Sequence, residues 1–99
     1  MNTKLKPLTR WGFARKDFIK QNESLFSQYT SAELHQHCLE VEKQAETRKR
    51  SMMDSIRKNP ANKVTERDKA ADPMTWAQKM NAFQASVHEV IFNDLIFSQ

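Results

Sequence analysis

Between Thr30 and Lys58 the sequence contains neither glycine nor proline, and apolar residues recur along it at Leu34, Cys38, Val41, Ala45, Met52 and Ile56. Spacings of three, four and seven place these side chains on one face of a helix, whereas a half-buried strand would alternate every second residue. The stripe skips one turn at Arg48 and Lys49. Both ends of the segment carry stop signals. Thr30 with Glu33 three positions later matches the reciprocal arrangement that satisfies two orphan backbone donors at a helix start. Asn59 precedes Pro60, and proline pushes the residue before it out of the helical region. A helix is therefore predicted over 31–58.

Two more helices accompany it. Asp72 at the N-cap and Pro73 at the first helical position open one over 73–97, with Trp76, Met80, Phe83, Val87, Val90, Ile91, Leu95 and Phe97 as its apolar stripe. Pro7 suits the turn into another over 8–21, whose inner face is Leu8, Trp11, Ala14, Phe18 and Ile19. Gly12 weakens that helix by about 1 kcal/mol relative to alanine unless a close helix contact needs the missing side chain. Asn22 or Ser24 can cap a short helix containing Leu25, Phe26 and Tyr29, and Thr65 can open another that ends at Ala71. The single glycine and three prolines in 99 residues exclude an all-β fold, which needs turn residues every few positions. The expected fold is all-α: a small bundle of three main helices (8–21, 31–58, 73–97) with one or two short ones, in one domain spanning 1–99. The third main helix pairs antiparallel with the second, and the first lies across both.

Cys38 is the only cysteine, so no internal disulfide forms. No apolar run approaches the roughly 20 residues that cross a bilayer. The segment from Met1 to Leu8 is basic but lacks the apolar stretch of a signal peptide. Together these predict a cytoplasmic protein with no membrane partner. Charge is segregated. Residues 1–20 hold Lys4, Lys6, Arg10, Arg15, Lys16 and Lys20 against Asp17, residues 21–42 hold only Glu23, Glu33, Glu40 and Glu42, and the basic excess returns in residues 43–69. Two basic blocks flank an acidic one, a pattern that can steer an anionic partner or simply clothe solvated helices.

His35, His37 and Cys38 are close enough for two of them to share a zinc ion, but only His88 or carboxylates remain to complete a tetrahedral site. A core cysteine beside surface histidines is preferred, and no metal or cofactor is predicted. A Cys–His nucleophile pair lacks a nameable orienting group or oxyanion donor. Gly12 alone cannot make a phosphate loop, and Glu40 and Glu42, two apart on a helix, point away from each other. The chain is expected to act by binding and not by catalysis. Candidate contact residues are Arg10, Phe13, Arg15, Lys16 and Lys20 on the first helix and Arg48, Lys49, Arg50, Arg57 and Lys58 on the second. Aromatic rings among cations can stack bases while the cations hold phosphates. Glu42, Glu46 and Asp54 lie within helix-pairing distance of the second set and are expected to neutralise several of its members. The stripe of the last helix also permits a homodimer.

The segments Val64–Asn81 and Val87–Phe97 resemble the C-terminal half of the TnpV transposon-encoded proteins. Trp76, Met80, Asn81, Glu89, Ile91, Leu95, Ile96 and Phe97 stand where that pattern asks for them, and a weaker likeness reaches back through Leu8 to Lys20. The resemblance implies a gene carried on bacterial mobile elements and a helical fold, with no settled activity. The family's last helix is arginine-rich where this sequence has Gln78, Lys79, Gln84 and Ser86, which moves the expected contact surface to the first helix and the 48–58 region. Two functions are consistent with this. One is a stoichiometric binder of a protein or nucleoprotein partner, such as an anti-CRISPR inhibitor of a host nuclease. The other is a nucleic-acid-binding accessory or regulatory factor of transposition.

Overall fold

A computed structural model describes residues 7–98. The elements are α1 (Arg10–Lys20), α2 (Glu23–Phe26), α3 (Ser31–Lys58), a 3-10 turn at Pro60–Asn62, α4 (Glu66–Ala71), α5 (Pro73–Ile91) and a π turn at Phe92–Ile96, with no strand among the described residues. The Thr30 hydroxyl accepts from the Glu33 amide and the Glu33 carboxylate from the Thr30 amide, forming the capping box that starts α3. At the other end, Asn59 leaves the helical region (φ −86°, ψ 109°) ahead of Pro60. Thr65 and Asp68 form a second capping box on α4, Asp72 caps α5 ahead of Pro73, and Asn22 caps α2.

α3, 28 residues long, is the spine, about 42 Å at 1.5 Å per residue. α5 packs along it and α4 packs on α5, while α1 lies along its first half, with Trp11 near Glu46, Arg15 near His37 and Ile19 among Leu34 and Cys38. The principal core joins Trp11 of α1, Val41, Ala45 and Met53 of α3, and Val87, Ile91 and Ile96 of the C-terminal segment. A smaller one joins Leu8, Ile19, Leu34 and Cys38, with Phe18, Leu25 and Tyr29 at its edge. The molecule measures 52 × 34 × 19 Å with a radius of gyration of 17.3 Å, well above the roughly 13 Å of a globular chain this long.

The structure corrects three details of the expected stripes. Met53, rather than Met52, is the buried methionine of α3, and Met52 lies half-buried at the edge of the same cluster. α5 does not continue as an α-helix to 97. The Phe97 amide donates to the Phe92 carbonyl at 2.8 Å, and this five-residue repeat widens the last turn. The extra residue rotates Ile96 fully into the core and Phe97 out to 51 % exposure. Val90, expected inward, is 37 % exposed, because Val87 and Ile91 already define the buried line.

Candidate interaction site

Arg15 occupies a core position. It follows Trp11 by four residues and precedes Ile19 by four, so the helical repeat turns it inward, where it is 5 % exposed. Its Nη1 donates to the Ile96 carbonyl at 2.9 Å and to that of Ser98, and its Nε donates to His37 Nε2 at 3.2 Å. These bonds tie α1 to α3 and to the end of the chain. The expectation that Arg15 contacts a partner is thereby corrected: its donors are spent on carbonyls that the π turn leaves without helical partners. The signal was present in the sequence as an arginine on the apolar stripe.

The roles of Glu42 and Glu46 also differ from expectation. Thr9 stands at the N-cap of α1 without a side-chain cap bond. The Glu42 carboxylate, arriving from α3, accepts instead from the Thr9 amide and from the Gly12 amide at 3.2 Å. One turn along, Glu46 accepts from Trp11 Nε1 at 2.9 Å. Both acids thus hold down the start of α1, where a carboxylate is favoured by exposed amides and the helix dipole. Gly12 belongs to this contact: a Cβ there would lie 2.7 Å from a Glu42 carboxylate oxygen and 2.8 Å from Leu8 Cδ2.

The consequence falls on the cations of α3. Arg48 pairs with Asp94 at 2.7 Å, and Asp54 reaches Arg57 at 3.8 Å and Lys58 at 3.7 Å. Among the described residues no carboxylate pairs with Lys49 or Arg50. Lys49, Arg50, Met53 and Arg57 line a shallow groove of about 160 Å³ that begins at Glu46. On α1 the Arg10 guanidinium lies 5.6 Å from the centre of the Trp11 ring, whose Nε1 bonds Glu46. A second shallow groove, about 590 Å³, runs along the acidic half of the same helix past Gln36, Leu39, Glu40, Glu42 and Lys43. The remaining candidates stand elsewhere. Lys16 acts electrostatically on Cys38, over the smaller core, Lys20 is exposed in the last turn of α1, and Phe13 is 54 % exposed.

A family model for the transposon-encoded protein TnpV matches residues 1–96. The chain belongs to the TnpV family. No curated protein and no solved structure matches it significantly. In this TnpV-family chain the family-like stretch around Trp76 has a structural use. Trp76 Nε1 donates to the Val64 carbonyl at 3.1 Å, with the Lys69 ammonium 4.8 Å from its ring centre, which fastens α4 to α5.

Among the described residues, no group of three or more His, Cys, Asp or Glu is placed to hold a metal ion. Cys38 is wholly buried, and burial pushes its thiol above the ordinary range, the opposite of what a nucleophile needs. His37 packs against Tyr29 with the rings tilted by 32° and their centres 5.3 Å apart. Burial first, and then the Arg15 guanidinium, hold its pKa below the usual histidine value. His88 meets the Trp11 ring edge-on at 5.1 Å and has a buried Nε2 with no hydrogen-bond partner among the described residues. Burial, followed by Lys49 and Arg10, lowers its pKa as well. No described helix is long and apolar enough to cross a membrane. Lys4 and Lys6, part of the basic N-terminal block, lie outside the described residues.

Proposed function

We propose that this protein is a non-catalytic accessory factor of a mobile element, acting in the cytoplasm by stoichiometric binding to a protein or nucleoprotein partner. Support comes chiefly from the grooved flank of α3. Other elements cover one side of this long helix, and along the edge of that covered side, from Gln36 to Arg57, run two shallow grooves of opposite charge character. Shallow, charge-patterned surface on a stiff helix suits docking to another macromolecule and is poorly shaped for enclosing a small substrate. A partner that carries both protein and nucleic acid, whether the element's own transposition complex or an RNA-guided nuclease of the host, presents both kinds of surface. Inhibition of such a nuclease is one form this binding takes in the proposal, and regulation of transposition is the other.

The test mixes purified protein with a reconstituted transposase–DNA complex and, separately, with an RNA-guided nuclease. Complex formation is read by size-exclusion chromatography with light scattering, and DNA cleavage by gel. A complex of fixed stoichiometry with either one, lost when Lys43 and Arg50 are both changed to glutamate, is the expected result. Absence of both complexes at micromolar concentration refutes the proposal.

A further inference from the structure

We propose that Arg10, Lys49, Arg50 and Arg57 form a seat for the phosphate backbone of a nucleic acid, an assignment that rests on reading the grooved flank of α3 as the docking face. Free donors are what such a seat requires, and the structure explains why they are free. On an isolated helix Glu46 would pair with Lys49 three residues on and Arg50 four residues on. Here its carboxylate turns to Trp11 Nε1. The acid that would occupy both cations is committed to anchoring α1.

The α3 cations also share one groove. Lys49, Arg50 and Arg57 edge it and span about 12 Å of helix. Glu46, at the head of that groove, is bonded to Trp11, and Arg10 rests on the Trp11 ring, so the row continues onto α1. Arg10 from α1 and Lys49 from α3 both act on His88, lowering its pKa. Arg57 keeps only a 3.8 Å approach to an exposed Asp54, a contact that contributes little in water and yields readily to a phosphate. No side chain in the row is placed against a hydrogen-bonding pattern that would read bases, so recognition is of the backbone, independent of sequence.

Fluorescence anisotropy with labelled single-stranded and duplex DNA of unrelated sequences tests this on the full chain. Four phosphate contacts predict an affinity that falls about a hundredfold between 50 and 200 mM salt. The double variant Lys49→Gln/Arg50→Gln, which keeps the helix and adds no repulsion, should weaken binding by on the order of tenfold at 50 mM salt. Arg67→Glu, on the exposed side of α4, changes net charge equally and should leave affinity within about twofold if position matters more than net charge. Circular dichroism of each variant establishes that the helices remain. No DNA binding at 50 mM salt, or equal losses in the Gln pair and Arg67→Glu, overturns the seat. If the nucleoprotein complexes described above still form, the docking-face proposal stands without it.

Discussion

At the scale of single residues, the start of α1 depends on a side chain being absent. Gly12 costs its helix up to about 1 kcal/mol in propensity, and Gly12→Ala would recover that on an open surface. Here the added methyl meets a hydrogen-bonded carboxylate and a buried leucine, each closer than 3 Å. The variant is expected to lose about 1 kcal/mol net, measured by urea denaturation; an increase in stability would show that the contact relaxes freely. The histidines give a pH dependence with a definite sign. His37 and His88 both have folded pKa values below the ordinary one, so the unfolded chain binds protons that the folded chain refuses. Their contribution is complete above about pH 6.5 and is lost as pH falls through the folded values. His37 faces Arg15 from α1 and Glu40 from its own helix, and His88 faces Arg10 from α1 with Glu46 and Lys49 from α3. Thermal melts should therefore drop from pH 7 toward pH 5, and His37→Gln with His88→Gln should flatten that drop.

Elements separate what is local from what is not. The bounds of α3, the caps at Thr65 and Asp72 and the break at Pro60 were legible because each depends on residues within four positions of one another. The choice between Met52 and Met53, the π turn that brings in Ile96 and the exposure of Phe97 were not, because they depend on where a second helix sits. Of the candidate site, the α3 cations were legible as charges off the apolar stripe, but the freedom of Lys49 and Arg50 was hidden: Glu46, the acid that should pair with them, acts across 35 residues of sequence. Arg15 was the legible exception, a charge on the apolar line at the spacing of Trp11 and Ile19, read by residue type instead of by position. The borrowed cap makes a direct prediction. Glu42→Ala leaves the Thr9 and Gly12 amides without an acceptor and should destabilise the protein by about 1–2 kcal/mol, with faster amide exchange confined at first to α1. Unchanged exchange there would remove Glu42 from that role.

Across the whole molecule, stability is unevenly distributed. The middle of α3 is clasped by α1, α5 and the π turn, whereas α4 contributes no buried residue and is held through its capping box and Trp76. Hydrogen exchange should find Glu66–Ala71 opening well before Val41–Ala45, since local opening follows the density of buried apolar contact. Equal protection would mean that the elongated chain unfolds as one unit. The two tryptophans divide along the same line. Trp11 bonds to a carboxylate in the principal core, and Trp76 to a backbone carbonyl at the α4–α5 junction. The principal core and the α4–α5 junction thus each carry an intrinsic fluorophore in a distinct environment, and replacing either with phenylalanine leaves an optical signal that reports on the other region alone.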